Sequence, residues 1–204
     1  MRYILYVVIL GMVAYQVFVK PQSLKEELPK ETHILAFGDS ITFGTGASVG
    51  YPQKLAILSG VKVTNAGIPG EVSAQGLARL GQLLETTRPD IVILCHGGND
   101  ILRRMDLAQT KVNVRQMIAL VGASGAKAVL VGVPLFTGIR IVTADIYDAL
   151  AKETEVVYVP NALTDVIKNG ALKSDHVHPN DEGYAHLAQV LYEALLRVTN
   201  AQGL

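Results

Sequence analysis

From residue 33 onwards, short apolar runs alternate with longer stretches in which apolar residues recur at helical spacing. The runs predict five strands, at 33–37, 61–64, 91–95, 128–133 and 155–159. The stretches between and after them predict helices at 51–58, 73–85, 113–121, 142–152 and 180–198. Residues 91–95 are apolar throughout, as expected when helices cover both faces of a parallel sheet. The alternation therefore predicts an α/β/α sandwich around a parallel five-stranded sheet.

Polar residues follow the first and third predicted strands directly. Ser40 follows the first strand within Gly38-Asp39-Ser40, and Asn99 follows the third within Gly97-Gly98-Asn99-Asp100. In open parallel sheets, ligands bind beyond the carboxyl ends of the strands, where the strand order reverses. With the order 2-1-3-4-5, taken here by analogy, strands one and three flank that point. We therefore expect Ser40 and Asn99 to face one crevice.

A histidine with an acidic neighbour opens the last predicted helix, in Asp175-His176-Val177-His178-Pro179. Asp175 is close enough to accept a hydrogen bond from one ring nitrogen of His178, which fixes the tautomer and leaves the other nitrogen for Ser40. The sequence leaves open one other base and two other acidic partners, which are His176, Asp181 and Glu182.

These segments together contain the groups that ester cleavage needs, namely a nucleophile, a base and donors for the oxyanion. We expect the donors to be the N–H groups of Ser40 and Gly67 and the Asn99 side chain. Each residue alone also suits a cap or a turn, so the hypothesis depends on the whole set. The remaining polar residues of these segments are assigned structural roles: Asp39, which braces the turn, His33 and His96.

Composition narrows the classes of partner. Half of the 204 residues are apolar, the formal net charge is zero and no basic block is present. This argues against a nucleic-acid partner bound through its phosphates. The single cysteine, Cys95, excludes an intrachain disulfide and a multi-cysteine metal site. We expect Cys95 to be a buried filler of the third strand.

The N-terminal segment is apolar in a different way. Residues 3–19 carry no charge, and as a helix they would measure roughly 25 Å, the short end of a membrane span. No Ala-x-Ala cleavage site is present, so we favour an uncleaved anchor at 1–20 over a cleaved signal segment. A polar tether at 21–31 and a catalytic domain at 32–204 follow. This layout predicts a single-pass membrane protein with the domain facing outward. In a bacterium that is an inner-membrane protein facing the periplasm, or a periplasmic product if the segment is cleaved.

The polar segments jointly resemble the conserved blocks of SGNH hydrolases, the GDSL esterase/lipase superfamily. Gly38-Asp39-Ser40 matches the first block, Gly67 the second, Gly97-Gly98-Asn99-Asp100 the third and Asp175-x-x-His178-Pro179 the fifth. The resemblance runs from about His33 to Val198. Residues 65–80 are most similar to the bacterial thioesterase I/lysophospholipase/arylesterase branch.

The resemblance implies a flavodoxin-like fold and a Ser40–His178–Asp175 triad, with Ser40, Gly67 and Asn99 forming the oxyanion hole. It implies neither a metal nor an organic cofactor. The expected enzyme is a serine esterase of class EC 3.1 that cleaves carboxylic esters or thioesters through an acyl-enzyme. Its substrate would be a small-molecule or lipid acyl ester, whose chain length and leaving group the sequence leaves open, as it does the oligomeric state.

Mostly apolar loops are predicted to form the acyl pocket, through Pro69, Leu102, Pro134 and Phe136. Arg103 and Arg104 lie beside Leu102 and would either meet an anionic head group or be solvated. The sequence suggests three other hypotheses. One is an O-acetylesterase of cell-envelope carbohydrate, and another is a catalytically silent, membrane-tethered binding module. The third, a metallophosphoesterase, would need an Asp-x-His pair after the first strand, which Asp39-Ser40-Ile41 does not provide.

Overall fold

The computed structural model of this protein describes residues 27–200. Its strands are β1 (His33–Gly38), β2 (Lys62–Gly67), β3 (Ile91–Cys95), β4 (Lys127–Val131), β5 (Pro134–Phe136), β6 (Ile141–Thr143) and β7 (Val157–Val159). Five of them form a parallel sheet in the order β2-β1-β3-β4-β7. Since β7 is the fifth strand of this sheet along the chain, the predicted order 2-1-3-4-5 is confirmed.

Helices connect these strands. They are α1 (Ser40–Phe43), α2 (Tyr51–Ser59), α3 (Ser73–Thr87), α4 (Gly98–Leu102), α5 (Leu107–Ala123), α6 (Asp145–Thr154), α7 (Ala162–Lys168) and α8 (Asp181–Asn200), with a 3₁₀ turn at Gly170–Leu172. Helix α5 begins earlier than predicted because Asp106 caps it, accepting a hydrogen bond from the Ala108 N–H at 2.9 Å. The predicted three-layer sandwich is confirmed.

Two hydrophobic cores lie on opposite faces of the sheet. Alternate residues of a strand point to opposite faces, so Ile91 and Ile93 pack into one core while Val92 and Leu94 pack into the other. Helices α2, α7 and α8 cover the first core, and α3, α5 and α6 cover the second. This double coverage explains why residues 91–95 are apolar throughout. The polar segments noted in the sequence converge on the carboxyl edge of this sheet.

One element of the fold was missed by the sequence analysis. Strands β5 and β6 pair in antiparallel fashion and form a hairpin outside the main sheet. The predicted loop that contains Pro134 and Phe136 is therefore the first strand of this hairpin. Three residues per strand are too few for the apolar alternation that would have revealed it.

The predicted N-terminal anchor lies outside the described residues, as does most of the tether, and both stay predictions. Within the last part of the predicted tether, Leu28 is buried in the core that α8 covers. Between residues 27 and 200 no helix combines the length and the apolar character that a membrane crossing requires.

Candidate active site

Ser40 begins α1 immediately beyond the carboxyl end of β1, a central strand of the sheet. Asp39 braces this turn as predicted, because its Oδ1 accepts a hydrogen bond from the Ile41 N–H at 3.0 Å. Asp39 is buried, and burial raises the pKa of its carboxyl group. Gly38 permits the tight packing here, since a Cβ at that position would overlap the Cys95 carbonyl. Among the described residues, no partner binds the Ser40 N–H.

His178 lies between Ser40 and Asp175. Its Nε2 is 3.0 Å from Ser40 Oγ, and its Nδ1 is 2.7 Å from Asp175 Oδ2. The other oxygen of Asp175, Oδ1, accepts hydrogen bonds from the Val177 and His178 N–H groups, both at 2.8 Å. The backbone of the loop before α8 therefore holds the Asp175 carboxylate, and this carboxylate in turn orients the His178 imidazole.

The charge of Asp175 determines which nitrogen of His178 carries a proton. Desolvation disfavours the ionised carboxylate, but hydrogen bonds from His178 and Val177 outweigh it and lower the pKa of Asp175 to about 2. An ionised carboxylate only accepts hydrogen bonds, so the neutral imidazole carries its proton on Nδ1. Nε2 is then an acceptor that faces the Ser40 hydroxyl.

Asn99 reaches the same crevice from the start of α4, next to β3. Its Nδ2 donates to Asp39 Oδ2 at 3.2 Å and to the Glu71 carbonyl at 3.0 Å. Gly97, which precedes the helix, has a φ of 100°, a conformation that a glycine adopts without strain. The turn thus fixes the Asn99 amide between Asp39 and the loop that follows β2.

The glycines at the end of β2 and in the loop after it differ in what their N–H groups contact. The Gly67 N–H donates to Asn65 Oδ1 at 2.9 Å, so this N–H is engaged within its own turn. Gly70 has a φ of 78°, and its N–H has no partner among the described residues. Gly70 directly precedes Glu71, whose carbonyl binds Asn99. The Pro69-Gly70 dipeptide is a turn signal that sequence analysis could have used to find it.

A cleft beside the Ser40–His178 pair contains three of the four predicted substrate-binding residues. Leu102, Pro134 and Phe136 line it together with Asn99. Pro69 lies elsewhere, in a separate depression with Arg103. The apolar side of the cleft is therefore formed by α4 and by β5 of the unpredicted hairpin.

The ring contact with Ser40 Oγ comes from His178 and not from His176, the other base that the sequence offered. His176 is exposed and lines a neighbouring groove with Arg104. Asp181 accepts hydrogen bonds from Ser48 and Val49.

Other polar and metal-binding candidates have structural contacts. His33 Nε2 lies 2.8 Å from Thr64 Oγ1, His96 contacts Glu71, and Cys95 is buried, which raises the pKa of its thiol. Arg103 donates to the Gly70 carbonyl at 2.7 Å. Across residues 27–200, no three side chains of His, Cys, Asp or Glu cluster as a metal site would require.

Comparison with known proteins places this geometry in a family. The sequence model of the GDSL-like Lipase/Acylhydrolase family matches residues 36–186, which include Ser40, Asn99, Asp175 and His178. The chain belongs to this family. The resemblance drawn from the motifs is confirmed, and the chain is a serine ester hydrolase of the SGNH type.

Relatives of this GDSL-like hydrolase support the same class. It is 35% identical over 176 residues to "Thioesterase 1/protease 1/lysophospholipase L1" of Escherichia coli (strain K12), with 82% of this chain and 85% of that protein covered. It is 37% identical over 158 residues to "Esterase TesA" of Pseudomonas aeruginosa, with 72% and 79% covered. A solved structure of TesA covers 80% of this chain and 98% of its own, at 30% identity and a TM-score of 0.71.

Proposed function

We propose that this enzyme hydrolyses carboxylic esters or thioesters through an acyl-enzyme on Ser40, with His178 as general base and Asp175 as its orienting partner. The observation that carries the proposal is the continuous contact from Asp175 through His178 to Ser40, with distances of 2.7 Å and 3.0 Å. A nucleophile within hydrogen-bond reach of an oriented base is the arrangement that activates a serine hydroxyl.

The two steps follow from this arrangement. His178 Nε2 accepts the Ser40 proton while Oγ forms a bond to the carbonyl carbon. When the tetrahedral intermediate collapses, the bond to the leaving oxygen or sulfur breaks, and His178 returns the proton to that atom. Water then attacks the acyl-Ser40 ester with His178 again as base, which releases the acid and restores the Ser40 hydroxyl.

Three donors would stabilise the oxyanion in this proposal. They are the unpartnered Ser40 N–H, one N–H of Asn99 and a backbone N–H from the loop after β2. For that loop we assign Gly70 in place of the predicted Gly67, because Asn65 already engages the Gly67 N–H. The Asn99 bond to Asp39 is the longer of its two, at 3.2 Å. The oxyanion would take over the N–H of that longer bond.

The acyl part of the substrate would occupy the apolar side of the cleft, at Leu102, Pro134 and Phe136. We infer thioesters, lysophospholipids and other acyl esters as substrate classes, since the relatives are named as an esterase and as a thioesterase and lysophospholipase. Nothing in these relatives' names favours a carbohydrate esterase or a silent binding module. Attachment of residues 1–20 to a membrane and a periplasmic location stay predictions that fractionation of the full chain tests.

The proposal is tested by comparing the full chain with Ser40→Ala on p-nitrophenyl esters from acetyl to palmitoyl and on an acyl thioester. Loss of Ser40 should lower kcat by ~10⁴–10⁶-fold with folding retained. Ser124→Ala is the matched control, because this hydroxyl bonds the Val121 carbonyl at the end of α5, away from the cleft. Hydrolysis by Ser40→Ala at the wild-type rate would contradict the proposal.

A further inference from the structure

A largely buried polar cluster consists of Glu71, Arg79 and His96. It adjoins the proposed oxyanion site, because the Glu71 carbonyl binds Asn99. The side chains of Glu71 and His96 are 5% and 1% exposed, and that of Arg79 is 21% exposed. Burying charged groups costs desolvation energy, and such pairs are weak evidence of a stabilising role. The positions of their hydrogen bonds are therefore the better guide to what this cluster does.

Arg79 connects the ends of two strands to the loop after β2. Its Nε and Nη2 donate to the two Glu71 carboxylate oxygens, each at 2.6 Å. The second N–H of Nη2 donates to the Ala66 carbonyl at 2.8 Å, and the Gly38 carbonyl, at 3.3 Å, shares a hydrogen of the same nitrogen. Gly38 stands two residues before Ser40, so one guanidinium fixes the nucleophile turn relative to the loop that carries Gly70.

His96 extends the cluster to the third strand. Its Nδ1 accepts a hydrogen bond from the Gly97 N–H at 2.9 Å, so the ring proton resides on Nε2. Nε2 then donates to Glu71 Oε2 at 2.9 Å. Gly76 makes this contact possible, because a Cβ there would overlap the imidazole. His96 thereby joins the turn that carries Asn99 to the Glu71 carboxylate.

Glu71 is the residue on which these contacts converge. Burial opposes its ionisation, but hydrogen bonds from His96 and Arg79 outweigh burial and lower the pKa of the carboxyl group. The Glu71 carbonyl accepts the Asn99 Nδ2 hydrogen bond at 3.0 Å. The side chain of Glu71 is thus connected to the strand ends through Arg79 and His96, while its backbone holds Asn99 and adjoins Gly70.

We propose that Glu71 is a positioning residue for transition-state stabilisation: clamped by Arg79 and His96, it holds the Asn99 amide and the Gly70 N–H in register with Ser40. Glu71 does not touch the substrate and acts through these donors. The inference rests on the proposed function, since register matters only if the reaction occurs at Ser40. Displacing donors by about 1 Å can lower a rate by up to ~10²-fold.

Glu71→Gln tests this role, because glutamine keeps the shape of the side chain and removes its charge. We expect kcat for a p-nitrophenyl ester to fall ~10–100-fold, with KM changed less than about threefold because acyl contacts are untouched. An alkyl boronic acid is the second probe. Ser40 Oγ adds to boron while its proton passes to His178 Nε2, and this gives a tetrahedral boronate anion with one boron-bound hydroxyl in the oxyanion site. Its Kd should rise in parallel with the fall in kcat.

Glu153→Gln is the matched control, because Glu153 also binds two cations, Lys111 and Arg115, but on the surface. It should leave kcat and boronate affinity unchanged. A structural role for Glu71 alone would lower Tm while the folded variant kept its kcat and its boronate affinity, and that result would overturn the inference. If Ser40→Ala stays active, the proposed function fails; if Ser40 is required and Glu71→Gln is fully active, only this inference fails.

Arg79→Lys keeps the test decisive should Glu71→Gln not fold. Lysine retains the charge but replaces the planar guanidinium, which spans a carboxylate and two carbonyls, with a single ammonium. The same parallel loss of kcat and boronate affinity is expected, with Arg115→Lys as the control. Unchanged values in folded Arg79→Lys would contradict the positioning role.

Discussion

Two histidine–carboxylate pairs lie at the carboxyl edge of the same sheet. In the loop before α8, His178 Nδ1 is 2.7 Å from Asp175, and the two side chains are 18% and 52% exposed. At the end of β3, His96 Nε2 is 2.9 Å from Glu71, with side chains 1% and 5% exposed. The chemical groups are the same, while only the first pair contacts the Ser40 hydroxyl.

The difference lies in the second nitrogen of each ring. His178 has its proton directed to Asp175 and presents Nε2 as an acceptor to Ser40. His96 has Nδ1 occupied by the Gly97 N–H and Nε2 bound to Glu71, so neither nitrogen is left for a substrate. An imidazole with one free acceptor suits proton transfer, while an imidazole bound at both nitrogens suits positioning.

Replacing His178 should separate the two pairs most strongly. His178→Ala removes the base from the pair that faces Ser40, and we expect kcat to fall ~10⁵–10⁶-fold. Tm should change little because the residue lies on the loop before α8. Steady-state kinetics with a thermal melt measures both. His176→Ala is the control on the same loop, and an equal loss of kcat in that variant would contradict the assignment of the base.

Asp175→Asn asks whether the orienting carboxylate sets the tautomer. An amide can donate to Nδ1 and so favour a proton on Nε2, which cannot then accept the Ser40 proton. We expect kcat to fall ~10³–10⁴-fold, as in enzymes with a Ser-His-Asp triad, with KM nearly unchanged. A loss below tenfold would show that Asp175 does not direct the proton of His178.

Asn99→Ala acts between the two pairs. Asn99 contacts Asp39, which is next to Ser40, and it also contacts Glu71 of the buried pair. Loss of one oxyanion donor should lower kcat ~10²–10³-fold with the fold intact. Circular dichroism and kinetics on the same preparation check this. An unchanged rate would remove Asn99 from the site and with it the link between the buried cluster and catalysis.

His96→Leu reverses the pattern expected for His178. The leucine leaves the Gly97 N–H without a partner and removes one donor to Glu71, which should cost ~1–3 kcal/mol in the free energy of unfolding. Since Arg79 still binds Glu71, kcat should fall only about tenfold, which is less than the ~10² that a larger displacement costs. Urea unfolding and kinetics test both values. A loss of kcat as large as that of His178→Ala would end the distinction between the pairs.

Of these changes, acidification should have the smallest effect. It acts on the stability that the Asp175–His178 pair contributes. The pKa of Asp175 is about 2 in the folded protein, below its ordinary value of 3.8. The stability this contributes is fully present above about pH 4 and is lost as the pH falls through the folded value. Solvent screening keeps the contribution small. The Tm difference between wild type and Asp175→Asn should therefore shrink from pH 5 to pH 2, and a constant difference would contradict it.

The main sheet was predictable because most of its strands are short apolar runs followed by a turn signal, with β2 the exception. The residues facing the crevice were predictable for the same reason, since carboxyl ends of parallel strands meet at one edge. Ser40 and His178 are 138 positions apart in sequence, and the structure places them 3.0 Å apart. The topology of the fold thus brings two motifs that are far apart in the sequence into contact.

The buried cluster was not predictable in this way. Glu71 and His96 are 25 positions apart, and Glu71 carries no motif of its own. Their contact depends on the packing of α3 against the sheet and on the space left by Gly76. The proposed assignment of Gly70 likewise depends on coordinates, because the sequence does not show that Asn65 engages the Gly67 N–H.

The most direct test of the account is to trap the covalent intermediate. The full chain would be mixed with a p-nitrophenyl ester and quenched in acid within the first turnovers. Intact-mass spectrometry and peptide mapping would then locate the acyl group. The account predicts one acyl group on the peptide containing Ser40, absent in Ser40→Ala and accumulating on mixing with kinetics that match release of p-nitrophenol. An acyl group on another residue, or turnover by Ser40→Ala at the wild-type rate, would contradict it.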